Sequence, residues 1–143
     1  MAARIEDGEW ARLGEAARSV RHVVFVIEQN IPVKLEDDGL DPECHHVVAF
    51  DQDAKPIGTA RLLPNAHLGR MCVLKNQRGK GVGSELVKRL LQVARAKGYS
   101  KVILESQVHA KDFYLKLGFV QDKERGVFMT AGIPHVEMSC SFV

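Results

Sequence analysis

The chain has 143 residues, 45% hydrophobic and 27% charged, which is the length and balance of one water-soluble domain with a real core. A formal net charge of +2, without a basic tract or aromatic–basic interleaving, argues against a nucleic-acid partner, and no apolar run approaches the ~20 residues that cross a bilayer. Met1-Ala2-Ala3-Arg4-Ile5-Glu6 lacks the apolar centre of a signal peptide, and Cys44, Cys72 and Cys140 have no close pairing, so free thiols in the cytoplasm are expected.

Ala3 to Glu6 suits a short first strand. Glu9 to Ile27 reads as a helix, because Trp10, Leu13, Ala17, Val20, Val24 and Ile27 recur at three- and four-residue intervals. Pro32, Gly39 and Pro42 break the stretch from Glu28 to Glu43, a long acidic loop that could attract a cationic ligand. His46 to Asp51 and Ile57 to Leu63 are predicted as a hairpin around the turn at Asp51 to Lys55. Cys44-His45-His46 suggests zinc, but no second ligand pair at metal spacing lies nearby, so no metal is expected. A further strand, His67 to Leu74, leads into Arg78-Gly79-Lys80-Gly81-Val82-Gly83.

The helix after those glycines, Gly83 to Ala96, carries Leu86, Val87, Leu90, Leu91 and Ala94 on one face and Lys88, Arg89, Gln92 and Arg95 opposite. Gly98 is its stop. Val102 to Leu104 is a short buried strand, His109 to Leu117 a second helix ended by Gly118, and Val120 to Asp122 and His135 to Phe142 are the last strands. The crossover around the glycine loop pairs parallel strands, whereas the earlier hairpins are antiparallel. The expected class is α/β (α+β), a single domain spanning residues 1–143. A mixed, mostly antiparallel central sheet of six to seven strands would be flanked by helices.

Strand, glycine loop and helix start place unobstructed backbone N–H groups at the positive end of a helix dipole, an arrangement that binds phosphate. Arg78 and Lys80 add positive charge. A Walker loop would need glycine where Leu74 stands and Ser or Thr where Gly81 stands. A dinucleotide fingerprint counted from Gly79 or Gly81 puts Ser84 or Leu86 at its third glycine, and Lys75-Asn76-Gln77 separate the loop from its strand.

Arg78-x-x-Gly81-x-Gly83 resembles the R/Q-x-x-G-x-G/A loop of the GNAT N-acetyltransferase superfamily. Phe113-Tyr114-Leu115-Lys116-Leu117-Gly118-Phe119 is similar to that superfamily's F-Y-x-x-x-G-F segment, in the right order and separation. Val24 to Gln29 and Ala131 to His135 look like a small bacterial branch of it. The resemblance implies central strands splayed to admit acyl-CoA, with acetyl-CoA as co-substrate. It implies that the backbone of Met71, Cys72 and Val73 holds the pantetheine arm. The N–H groups of Arg78, Gly79, Lys80, Gly81, Val82, Gly83 and Ser84 would hold the pyrophosphate, and the Cys72 amide would polarise the thioester carbonyl. It also implies direct transfer and, as in many members, a homodimer, for which the last strand would be a natural edge.

A phenol with a pKa of about 10 can protonate a thiolate of similar basicity, so Tyr114 is the expected general acid. An acceptor amine, mostly ammonium at neutral pH, must lose a proton first. Glu105, at the end of the strand beside the loop, is the first candidate base, with Glu28, His46 and His135 as others and a water chain as an alternative. The function expected is transfer of acetyl to a primary amine of a small molecule or peptide. The alternative is a non-catalytic acyl-CoA-binding or regulatory domain, which would need the loop but not Tyr114.

Overall fold

In the computed structural model, residues 3–142 are described. Among these residues, eight strands form two sheets. The first has the order β1–β2–β3–β4, from β1 (Arg4–Glu9), β2 (His45–Phe50), β3 (Pro56–Leu62) and β4 (Leu68–Val73), all antiparallel. The second sheet sets β8 (Ile133–Ser141) between β5 (Lys101–Gln107) on one side and β6 (Val120–Gln121) and β7 (Phe128–Thr130) on the other. The last strand is therefore central and not an edge, which corrects its expected place in dimer pairing. Strand β7 lies between Asp122 and His135, where no strand was expected.

Two helices cover opposite faces of the first sheet. In α1 (Trp10–Arg21) the small and branched residues Leu13 and Ala17 pack on Val48, and Val20 joins Val24 against Cys72. On the other face α3 (Val82–Ala96) buries Val82, Leu86, Val87, Leu90 and Ala94 against Val47, Ala49, Ala60 and Leu62. Each such aliphatic side chain, fully buried, contributes about 1.5–3 kcal/mol of transfer free energy. Gly58 permits the close approach: a Cβ there would lie 3.0 Å from Leu86 Cδ1 and 3.1 Å from Val82 Cγ1.

The expected helix from Glu9 to Ile27 changes form part-way. From His22 to Glu28 the backbone widens into a seven-residue π-helix. Over seven residues the apolar spacing fits either form, and the wider winding turns Ile27, expected on the buried face with Val24, out to solvent. The long loop that follows contains a four-residue helix α2 (Val33–Glu36) and a 3₁₀ turn (Asp41–Glu43).

Among the described residues, the two sheets are joined by backbone pairing between the start of β4 and β5. A parallel bridge joins His67 to Ile103, and the Ile103 N–H donates to the Ala66 carbonyl at 3.0 Å. Beyond that point no ladder links the strands, so they part towards Val73 and Gln107. This splay agrees with the expected fold. The ends of the parted strands lead into the glycine loop and, through a 3₁₀ turn (Val108–Ala110), into α4 (Lys111–Lys116).

A buried ionic network fixes the acidic loop. Asp41, with its side chain 5% exposed, accepts from Arg21 at 2.8 Å and from Arg61 at 2.9 Å. Glu36 pairs with Arg21 and Asp38 with Arg61. Arg61 holds the Asp38 carboxyl well below the ordinary range, and Arg21 and then Arg61 overcome burial to do the same for Asp41. The unfolded carboxyls titrate near 3.8, above their native values, so the folded state binds fewer protons. The stability they contribute is complete above that range and is lost as pH falls through the native values. Urea midpoints should therefore decline steadily below about pH 5, and a flat profile down to about pH 2.5 would contradict the pairing.

Candidate active site

The glycine loop is built as a cradle. Gly79 and Gly81 have φ of 80° and 83°, and a Cβ on either would meet nothing within 4 Å. Their left-handed backbone turns the chain sharply, and Gly81 is the residue before α3, which has no side-chain cap. The first acceptor engaged is the Gly81 carbonyl, by Glu85 N–H at 3.1 Å. The N–H groups of Val82, Gly83 and Ser84, which precede any intrahelical bond, thus point out of the helix start. Gly81→Ala would force an L residue into this conformation and should cost about 1–2 kcal/mol of stability. Thermal denaturation measures that loss directly.

Beside the cradle, β4 carries a bulge. Thr59 faces Cys72 and Arg61 faces Gly69, so Ala60 alone stands opposite both Arg70 and Met71. Arg70 takes φ 50°. A bulge takes backbone groups out of the ladder and re-aims them, here at the edge of β4 that faces the splay.

Tyr114 rises from α4 and is 7% exposed, with Phe113 edge-on at 4.9 Å and Phe119 at 5.8 Å between ring centres. Burial, and then the negative charge Cys72 would carry, pushes its pKa up to about 12. The phenol therefore stays protonated at neutral pH and remains a donor. Helix α4 follows directly on the parted end of β5, and Tyr114 shares the core cluster of Val73 at the parted end of β4. The Cys72 thiol is itself pushed up to about 12 by burial, which makes it a poor nucleophile. Gly83 completes this corner: a Cβ there would sit 3.3 Å from Phe113.

The remaining sequence candidates fall in different places. Glu105 projects from β5 on the face opposite the buried Val102, Leu104 and Ser106, and its carboxylate meets Arg125 at 3.0 Å. The same guanidinium holds Glu137 at 2.8 Å. His135 stacks on Phe128 and donates from Nδ1 to the Ile133 carbonyl at 2.7 Å.

Two candidate bases are poorly suited. His46 is 1% exposed on β2, packed against Trp10 at 4.7 Å, with Nε2 donating to the Asp41 carbonyl at 2.9 Å. Burial lowers its pKa, and its strand lies two removed from the splay. Glu28 is held bidentately by Arg78, 2.8 Å for each contact, and this guanidinium keeps its carboxyl below the usual range. Bound at both oxygens, Glu28 is a weaker proton acceptor than Glu105, which Arg125 meets at one oxygen and shares with Glu137. Arg78, whose positive charge was expected to serve the cradle, is paired with Glu28 in this structure.

The acidic loop is also corrected. Glu36, Asp38 and Asp41 are consumed by Arg21, Arg61 and Arg70, so the carboxylates expected to draw a cationic ligand are largely neutralised inside the protein. Cys44 donates to the Leu40 carbonyl at 3.2 Å and His45 meets Asp7 at 2.7 Å, so Cys44-His45-His46 is spent on separate structural contacts. Arg70, which the sequence reading passed over, ties β4 to this loop by donating to the carbonyls of Leu35 and Glu36. A concavity of about 700 Å³ lined by Trp10, Pro42, Cys44 and Lys97 lies at the other end of α3 and includes no cradle residue.

Comparison with known proteins agrees with this geometry. Residues 24–142 match the model of the acetyltransferase (GNAT) domain, and the chain belongs to that family. It is 42% identical over 124 residues, 83% of this chain and 86% of the relative, to YjcF of Bacillus subtilis, described as an uncharacterized N-acetyltransferase. Its fold superposes on an acyl-CoA N-acyltransferase from Pseudomonas aeruginosa with a TM-score of 0.85 and 30% identity, covering 98% and 100% of the two chains. Escherichia coli ElaA gives a TM-score of 0.84 at 27% identity over 97% and 99%. The cradle's free N–H groups and open glycines fit an acyl-CoA diphosphate.

Proposed function

We propose that this chain, acting as a single domain, transfers the acetyl group of acetyl-CoA directly to a primary amine of a small molecule or peptide. The observation that carries the reading is Tyr114, a buried, protonated phenol at the splay between the cradle and the β4 bulge. A module that only binds acyl-CoA needs the cradle but not this donor. The acyl-CoA name of the Pseudomonas aeruginosa neighbour and the family match support the cofactor class.

In this reading the N–H groups of Gly79 to Ser84 and the side chain of Arg78 hold the diphosphate. Met71, Cys72 and Val73 offer backbone groups to the pantetheine arm along the edge of β4 that has no ladder partner. The bulge aims an amide, that of Cys72 being our assignment, at the thioester carbonyl, where negative charge grows as the amine attacks. A C–N bond forms, the C–S bond breaks, and Tyr114 gives its proton to the departing sulfur. Glu105 takes the proton lost by the amine, directly or through water, with Arg125 holding the carboxylate in place.

Calorimetry tests the cofactor assignment on its own. Acetyl-CoA should bind and NAD should bind much more weakly. Tighter binding of NAD would contradict the cradle assignment.

A further inference from the structure

The pair between Arg78 and Glu28 stands where two ligands would need both partners. Arg78 opens the cradle, and its Nε also donates to the Val73 carbonyl at 3.0 Å, at the end of the strand that lines the splay. Glu28 ends the π-helix, a form of backbone often found at functional sites. The two contacts between them, 2.8 Å each, form a planar fork of the kind a guanidinium also makes with phosphate.

Exposure separates this pair from the other ion pair near the reacting strand. Arg21 and Glu36 form that other pair, and like Arg78 and Glu28 they act on the Cys72 thiol. Glu36 is bound to Arg21, whose side chain is 3% exposed and which also holds Asp41, so its partner cannot leave. Arg78 and Glu28 are 41% and 33% exposed. A pair so open to water is weak, and a diphosphate beside the N–H groups of the cradle is the stronger partner for a guanidinium.

Building on the transferase reading, we propose that the Arg78–Glu28 pair is an exchangeable gate: the diphosphate of acyl-CoA takes Arg78, and the freed Glu28 carboxylate receives the ammonium form of the acceptor. Acyl-CoA then competes with Glu28 for Arg78, and the acceptor competes with Arg78 for Glu28. By linkage each ligand strengthens the other by the same factor. That factor cannot exceed what the pair contributes, roughly fivefold for an exposed pair. Acyl-CoA first and amine second is the favoured order, and acceptors carrying a positive charge are the favoured class.

Binding of CoA itself, measured by calorimetry without turnover, reads the gate. Glu28→Gln removes the competitor and should tighten CoA by roughly two- to fivefold. Binding of 1,4-diaminobutane should be stronger to CoA-saturated protein than to free protein, and Glu28→Gln should abolish the difference. Equal or weaker CoA binding by Glu28→Gln would mean a fixed clasp that shapes the cradle, and the gate would be wrong. Equal diaminobutane binding to CoA-saturated native and variant protein would remove Glu28 from acceptor recognition. If the native protein binds no CoA, the transferase reading fails and takes the gate with it. If it binds CoA but the variant is not tighter, the gate alone fails.

Discussion

Tyr114→Phe is expected to lower kcat at least tenfold, and up to about 10²–10⁴-fold, the range for loss of a positioned general acid. The substitution removes one oxygen and leaves the ring between Phe113 and Phe119, so the packing of α4 should survive. CoA affinity should stay within about twofold of native, because the cradle N–H groups are untouched. The effect should be largest for the step in which the thiolate leaves. A pKa pushed up to about 12 also means that no falling limb from Tyr114 ionisation should enter the rate profile below about pH 10. Loss of turnover and CoA affinity together would show that Tyr114 shapes the cleft and does not donate the proton.

Asp41→Ala should be the most damaging change to the fold outside the apolar core. It would leave Arg21 and Arg61, 3% and 4% exposed at their side chains, without the carboxylate they share. Two charge-assisted hydrogen bonds in a buried site are lost, about 1.5–3 kcal/mol each, although Glu36 and Asp38 still pair with the two guanidinium groups. For a chain of this size that loss corresponds to a fall in Tm of roughly 10–15 °C. Asp53→Ala, in an exposed turn, should change stability by less than about 0.5 kcal/mol. The Asp41 backbone carbonyl also receives His46, so the loss should loosen β2 and the loop together. A Tm within about 2 °C of native would mean that the network relaxes into water at little cost.

Legibility in the sequence followed the physical range of each signal. Helix α3 was clear because Leu86, Val87, Leu90 and Ala94 repeat with helical period and all are buried. The cradle was clear because Gly79 and Gly81 have φ values that other residues avoid. The π-helix at His22 to Glu28 was not, since its apolar residues also satisfy α-helical spacing. The engagement of Glu28 by Arg78 joins residues 50 positions apart, and nothing local announces it.

The acidic loop shows the same limit. Its carboxylates were plain in the sequence, but Arg21 and Arg61, which neutralise them, belong to α1 and β3. Composition showed the charge and could not show its partners. For His46, residue type suggested a base, whereas a strand two removed from the splay and full burial make it structural. The central place of β8 required knowing that β6 and β7 fold back on it, and β6 has only two residues.

Thiol release from acetyl-CoA across a panel of amines, with the acetylated product identified by mass, tests the central claim most directly. The panel should span lysine peptides, polyamines, aminoglycosides and anionic amines. Direct transfer predicts thiol and N-acetyl product in equal amounts with at least one cationic amine. Tight binding of acetyl-CoA with no product from any amine would contradict it, and would leave a domain that binds acyl-CoA without using Tyr114.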